Sequence, residues 1–401
     1  LFTASYKSYK FRREKKSINT LMKSIKRNIA IILYKLVSFL VKNIPAKSGE
    51  KHLLLIKVDE IGDYILFRNY FKYFKTSGKY KGHKITMVAN KAWKSLYETY
   101  DKDSVDSIIW LDKTRYMKDI KYRFSMLANI RKVGSSDVVN CIFSRSADLD
   151  DGMAVVATGN AKSAMYSDET NRKKNEKDKD GSIYTNLIDA GDRKIFDTER
   201  NRNFIEKVLE IDGLTVDTKV SIPPKNELPT EDYLAIFIGA GNPERRWPIP
   251  FFIECVKYAA EKYKLLPLVC GGPGDEADAT SFVDGYGDTV LNYAGKTTLP
   301  QMMELLSKAK FLICVDTGAL HMGVAAGCPV IGLFSGKFYG RFAPYPKEIT
   351  EQFYAVYPDF VDELIAKKAP ILYDTSIMKN DTMKMIPSSK VIPYIDKVMR
   401  K

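Results

Sequence analysis

FLICVDTGALHMGVAAGCPVIGLF, residues Phe311 to Phe334, decides how the rest of the chain is read. Phe311 to Val315 is a short apolar run of the kind that fills a buried parallel strand. It stops at Asp316-Thr317-Gly318. Small residues from Ala319 to Ala326 then predict a closely packed helix, ended by Gly327 and Pro329. Val330 to Leu333 is the next buried strand. Asp316, Thr317, Gly318 and His321 therefore fall where the carboxyl end of a strand meets the amino end of a helix. Open α/β sheets bind ligands at such places, and the free N–H groups of the first turn favour phosphate oxygens. A tight turn capped by Asp or Thr, with no ligand at all, also accounts for these residues.

Working outward, apolar runs at 53–57, 85–88, 107–110 and 138–143 read as strands, alternating with helices predicted over 63–74, 92–100 and 116–132. Residues 171–181, NRKKNEKDKDG, read as an exposed charged loop, and a helix over 196–211 closes this half. Pro223, Pro224 and Pro229 mark a linker. Beyond it strands are expected at 234–238, 266–270, 290–293, 311–315 and 330–333, with helices between them and a last helix at 391–401. Such alternation predicts parallel sheets covered by helices on both faces. The expected divisions are an arm over 1–50, a first α/β domain over 51–222, a second over 223–385, and a terminal helix over 386–401.

A chain of 401 residues with formal net charge +14 invites comparison with nucleic-acid binders. The distribution argues against it: residues 1–47 hold twelve Lys or Arg against the single acid Glu14, so that +11 of the +14 lies in the arm. No helix-turn-helix, zinc-finger or RNA-binding signature accompanies it. Residues 28–44, NIAIILYKLVSFLVKNI, are apolar but interrupted by Lys35, too short to span a bilayer, which needs about 20 apolar residues. A helix lying in the membrane interface beside anionic lipids, a helix packed on the protein body, and a signal-like segment all fit; no convincing small-x-small cleavage site favours the last. The five cysteines form no C-x-x-C and three lie in apolar runs, which suggests buried free thiols. No His-rich or Cys-rich metal cluster stands out, and Asp148, Asp150 and Asp151 read as a helix cap. The absence of G-x-x-x-x-G-K-[ST] and G-x-G-x-x-G weakens P-loop ATPase and dehydrogenase readings.

The D-T-G-x-x-H pattern with its small-residue helix and P-V-I-G-L-F strand resembles the signature of glycosyltransferase family 9, the lipopolysaccharide heptosyltransferases and their relatives. Two further blocks resemble it in the right order: IKVDEIGDYIL at Ile56 to Leu66, and FIGAGNPERRWP at Phe237 to Pro248 followed by LVCGGPGDEADA at Leu268 to Ala279. The resemblance implies a GT-B architecture, two Rossmann-like, doubly wound parallel-sheet domains facing across a cleft, with the terminal helix packed back across the junction. It implies an inverting, metal-independent transfer of a sugar, heptose by resemblance, from a nucleotide-diphosphate sugar such as ADP-heptose to an anionic glycolipid acceptor. No cofactor, metal or nucleic acid is expected. The expected place of work is the cytoplasmic face of the inner membrane, with the arm as a peripheral anchor.

Glycosyl transfer needs a base for the acceptor hydroxyl and positive charge for the departing diphosphate. Asp63 of the G-D pair is the expected catalytic base, although Asp at this position is also an ordinary helix cap. Donor binding is assigned to Arg245, Gly272, Glu276, Asp316, Thr317, Gly318 and His321. Arg245 stands where the family commonly has Lys, and solvated loop charge is as good a reading for one of Arg245 and Arg246. Acceptor contacts are assigned to Lys57 and Arg145, for which surface solvation is the plainer reading. The chain departs from the family's pattern at Asn69, often Pro, and at Gly241, where a hydroxyl residue is usual. A different nucleotide sugar serving capsule or O-antigen assembly, and a catalytically silent nucleotide-sugar-binding scaffold, are the alternatives.

Overall fold

A computed structural model describes residues 28–47, 51–166, 183–192, 194–215, 217–378 and 381–400. The arm before residue 28 and the charged loop expected at 171–181 lie outside the described residues. A helix α1 over residues 28–42 leads in. The first sheet and its helices follow as β1 (His52–Lys57), α2 (Ile61–Ile65), α3 (Phe71–Thr76), β2 (Lys84–Asn90), α4 (Lys94–Tyr100), β3 (Ser107–Leu111), α5 (Lys113–Lys118), α6 (Ile120–Lys132), β4 (Asp137–Asn140), α7 (Asp150–Val156), β5 (Ala161–Met165), β6 (Asn186–Ile188) and α8 (Asp197–Leu209). The second comprises β7 (Tyr233–Phe237), α9 (Ile249–Tyr263), β8 (Leu266–Cys270), α10 (Glu276–Tyr286), β9 (Leu291–Asn292), α11 (Leu299–Lys308), β10 (Leu312–Val315), α12 (Gly318–Ala325), β11 (Val330–Leu333), β12 (Phe353–Val356), α13 (Asp359–Ala366) and α14 (Ser388–Met399).

Both sheets are parallel and six-stranded. Their orders, β3-β2-β1-β4-β5-β6 and β12-β11-β10-β7-β8-β9, are one topology used twice. In each, the chain starts in the middle, winds to one edge, returns and winds to the other. Each sheet thus has one point where neighbouring strands leave in opposite directions, between β1 and β4 and between β7 and β10. Central strands such as LLLI at Leu53–Ile56 and LICV at Leu312–Val315 are buried on both faces, which is why they read as unbroken apolar runs.

An apolar core runs through the junction of the halves, joining Leu53, Phe67 and Phe71 of the first to Leu312, Leu320 and Tyr345 of the second. The Phe196 and Tyr345 rings meet at 4.6 Å across it. The linker is fastened too, with Val220 N–H donating to the Ala325 carbonyl (2.9 Å) and Lys225 N–H to the Glu304 carboxylate (2.6 Å).

Several expected elements are corrected. The helix expected over 63–74 is broken between α2 and α3, where the Arg68 side chain binds Asp101 (2.7 Å) and the Lys219 carbonyl and Asn69 donates to the Asp217 carbonyl (2.6 Å). The helix expected over 116–132 is two, divided at Asp119. That residue is extended, and its carboxylate caps α6 by accepting from Lys121 and Tyr122 N–H. Strands β5, β6 and β12 were not foreseen. The terminal helix packs on its own half rather than across the junction. Its Val391 and Ile395 enter the core of Phe252 and Cys255, and Tyr258 of α9 donates to Asp396 (2.7 Å). The junction is crossed instead from α8, where Asp197 pairs with Arg341 of the second half (3.3 Å). All five cysteines are buried free thiols.

Candidate active site

The two switch points meet. The loop after β1 carries Gly62-Asp63 into α2, and the loop after β10 carries Thr317-Gly318 into α12. A methyl group placed on Gly62 would lie 2.7 Å from His321 Cδ2 and 3.6 Å from Gly318 Cα; one on Gly318 would lie 3.4 Å from the Gly62 nitrogen. The contact therefore requires glycine at Gly62.

On the first-half side the meeting point is charged. Asp63 is one-fifth exposed, its Oδ2 accepts from the Glu60 N–H (3.3 Å), and its Oδ1 lies 4.0 Å from the Arg341 guanidinium. Burial raises its pKa, with Lys57 and Arg341 pulling the other way. Lys57 is not the open acceptor contact expected. It is 2% exposed, its ammonium bonded to Asp59 (2.7 Å) and to the Cys141 carbonyl (3.3 Å) and seated over the Phe67 ring. Burial works against that cation, yet Asp59 and Asp63 hold its pKa above the ordinary lysine value. Burial likewise pushes Asp59 up to about 7, against the pull of Lys57. Lys57 is thus an internal cation beneath the two carboxylates, where breaking a buried pair leaves an uncompensated charge.

Arg341 comes from the second half, in the loop after β11. It donates to Ser144 Oγ (2.8 Å) and Asp197 (3.3 Å), and its carbonyl accepts from the Asp197 N–H (3.0 Å). Asp197 also pairs with Arg200. Burial would raise the Asp197 pKa, but the two arginines outweigh it and lower the value. Neither Asp197 nor Arg341 was expected at the site. The available hints were an Asp opening a helix with Arg three residues on, and a lone Arg in the aromatic stretch from Phe338 to Tyr345.

On the second-half side the site is small and polar. Thr317 is the N-cap of α12 but its hydroxyl caps nothing. Asp316, nearly buried, lies 3.7 Å from Arg245 Nε, and Arg245 also donates to the Asp316 carbonyl (3.2 Å). The Arg245 guanidinium, one-third exposed, sits over the Phe338 ring in a pocket shared with Asn242, Ser335 and Lys337. Burial raises the Asp316 pKa while Arg245 and Arg341 lower it. Arg246 points elsewhere, to Asp278 (3.1 Å), so the two neighbouring arginines separate into a site residue and a surface pair. His321 is buried, with Nδ1 bonded to the Tyr345 hydroxyl (2.6 Å); burial lowers its pKa to about 3, so the ring is neutral and packs the contact with Gly62.

The remaining residues lie apart. Gly272 and Glu276 are at the end of β8, where Gly272 N–H donates to Asp275 (2.8 Å) and Glu276 lies over Gly295 beyond β9. Asp275, not singled out by the sequence, also packs against Gly239. Arg145 is buried beside Asp151 (3.4 Å) and the Tyr184 ring, so it too is an internal ion rather than an acceptor contact. The wide opening on the first-half side is a cleft of about 760 Å³ lined by Glu60, Asn90, Lys91, Asp112, Lys113 and Met117, among others.

Residues 197–368 match the family model described as glycosyltransferase family 9 (heptosyltransferase). Lipopolysaccharide core heptosyltransferase OpsX of Haemophilus influenzae is 32% identical over 104 residues, 25% of this chain and 30% of that protein. Lipopolysaccharide heptosyltransferase 1 of Escherichia coli K12 is 25% identical over 122 residues, 30% of this chain and 38% of that protein. The chain thus spans between 30% and 38% of the length of the curated relatives it matches. Among solved structures, a glycosyl transferase family 9 protein of Veillonella parvula superposes with a TM-score of 0.65 at 18% identity, over 88% of this chain and 99% of that one. Escherichia coli heptosyltransferase WaaC with ADP-2-deoxy-2-fluoro heptose gives 0.59 at 17% identity, over 86% and 99%. These structures share the two-sheet fold described above.

Proposed function

We propose that this chain, whose residues 197–368 match the model of glycosyltransferase family 9 (heptosyltransferase), is an inverting glycosyltransferase that moves a sugar from a nucleotide-diphosphate sugar to an anionic glycolipid acceptor. The observation that carries the reading is the meeting of a half-buried carboxylate, Asp63, with the uncapped amino end of α12 and the Arg245–Asp316 pair. The acceptor oxygen attacks the anomeric carbon while Asp63 takes its proton. The bond from that carbon to the diphosphate breaks, and the diphosphate leaves with the electron pair. One displacement inverts the anomeric configuration. Arg245 and the first-turn N–H groups of α12 meet the growing negative charge, a task that does not call for a metal. The pKa of Asp63, raised by burial, favours a base able to hold the proton it receives.

ADP-heptose is the proposed donor: WaaC was solved with an ADP-heptose analogue, and a relative acts as a lipopolysaccharide heptosyltransferase. The proposed acceptor is a lipopolysaccharide core glycolipid at the inner face of the cytoplasmic membrane. A thermal-shift screen against ADP, UDP, GDP, CMP and their sugar conjugates tests this. A ligand at 100 times its dissociation constant adds about 2.7 kcal/mol, readily seen as a raised Tm. A selective response to ADP and ADP-heptose is expected. A selective UDP or GDP response would replace the donor, and silence towards all of them would leave a scaffold rather than an enzyme.

A further inference from the structure

Helix α1 presents a face that nothing among the described residues covers. Ile29, Ile32, Leu33, Leu36, Phe39 and Leu40 recur at three- and four-residue spacing, and each is between 44% and 66% exposed. They occupy one contiguous arc of the helix, a wide apolar stripe of the kind that soluble proteins ordinarily bury. The opposite side of α1 is fixed. Val37 and Val41 are buried with Met126, Leu127 and Ile130 of α6. Tyr34 donates to the Met117 carbonyl (2.6 Å), the Arg123 guanidinium lies 3.6 Å over the Tyr34 ring, and Arg131 donates to the Ile44 carbonyl (3.2 Å). The helix is therefore anchored to the body with its apolar stripe outward.

The apolar surface continues onto that body. Met117, Ile120 and Phe124, at the end of α5 and the start of α6, are each 38% exposed. Exposed lysines border it: Lys35 and Lys42 on α1, Lys118 and Lys121 on α5 and α6. The acid on this rim, Asp119, is engaged in capping α6 and pairing with Arg115. The preceding residues 1–27 add nine Lys or Arg against one Glu.

We propose that α1 and the α5–α6 rim form a docking face for an anionic lipid bilayer, which holds the cleft beside Asp63 at the level of the lipid headgroups. A second copy of the chain would bring these lysines, and the like-charged residues 1–27, against their like. A bilayer offers hydrocarbon to the stripe and phosphates to the lysines together. No helix among the described residues is long and apolar enough to cross a membrane, so α1 lies in the surface plane. Met117 belongs to the rim and also lines the 760 Å³ cleft, as do Lys118 and Glu60, whose N–H bonds Asp63. An acceptor anchored in the same leaflet then reaches Asp63 without leaving it. This last step rests on the proposed function; the docking does not.

Co-sedimentation of the full chain with phosphatidylcholine vesicles, with and without phosphatidylglycerol, tests the face. Two double variants, Leu36→Glu with Phe39→Glu on α1 and Ile120→Glu with Phe124→Glu on the rim, alter exposed side chains; Tm and ADP-induced stabilisation check that each remains folded. The wild type should bind the anionic vesicles, the α1 pair should lower the partition coefficient by about tenfold or more, and the rim pair should lower it less. Transfer to a vesicle-embedded acceptor should fall in parallel, while transfer to a de-acylated acceptor stays unchanged. Undiminished vesicle binding in both double variants would overturn the proposal. So would a wild-type dimer that the α1 pair dissociates without any vesicle binding. Loss of binding with intact transfer to the embedded acceptor would overturn the delivery step alone.

Discussion

The two halves share one strand order, yet their cleft edges are built from opposite materials. The first half brings buried charge to its switch point: Lys57, Asp59 and Asp63, with Asp197 and Arg200 of α8 behind them. The second brings glycines, an unengaged threonine hydroxyl and the amino end of α12, with one arginine held at the side. Buried ionisable groups are costly, and their environments shift proton affinities. Backbone N–H groups at a helix end carry no titratable proton and stabilise anions at any pH. One topology thus supports a proton-handling edge and an anion-holding edge, and the difference lies in residues grafted onto the strand ends.

The sharpest way to break this comparison is at Asp63. Asp63→Asn keeps an oxygen for the Glu60 N–H but removes the base; kcat should fall by about 10²–10⁴-fold, read by donor turnover. A variant retaining most of its turnover would move the base elsewhere.

At the contact between the edges, Gly62→Ala forces a methyl to 2.7 Å from the His321 ring. Overpacking of this kind costs about 1–3 kcal/mol, so a lowered Tm is expected together with reduced turnover. On the anion side, Arg245→Ala should weaken ADP binding by about tenfold to a hundredfold, with Arg245→Lys intermediate, as a calorimetric titration would show. Its effect should fall on donor affinity more than on the pH profile.

The smallest effect concerns Arg341, which joins the two edges. Burial raises the Asp63 pKa, so turnover should rise with pH along a limb lying above the usual carboxylate range. Lys57 and Arg341 oppose that rise. Removing one cation in Arg341→Gln should therefore carry the acid limb further upward, by about 0.5–1 pH unit, while Arg341→Lys should largely restore it. A limb that moves down, or does not move, would sever Arg341 from Asp63.

Much of this was legible because the central strands are continuous apolar runs and the site motifs lie at their ends. Leu266–Cys270 and Val330–Leu333 match the expected strands residue for residue. The strands AKSAM, NLI and FYAV, the last two at sheet edges, carry little of that pattern, being half-exposed or short. Asp119 shows how one capping residue inside an apparently continuous helix divides it. At the site, Asp63, Asp316, Gly318 and Arg245 were legible from local motifs. Lys57 and Arg145 were misplaced because a cation at a strand end reads the same whether its partner is solvent or a buried carboxylate. Here the partners are Asp59 and Asp151. The contribution of Arg341 could not be read locally, since its partners Asp63, Ser144 and Asp197 are brought to it only by the docking of the halves.

The separation of proton chemistry from anion binding is tested most directly by the ADP affinity of Asp63→Asn, measured by calorimetry beside the wild type and Arg245→Ala. A dissociation constant within about twofold of wild type is expected for Asp63→Asn, with clear weakening for Arg245→Ala. A loss of ADP binding in Asp63→Asn as large as that in Arg245→Ala would contradict that separation, and would make the two edges a single anion site.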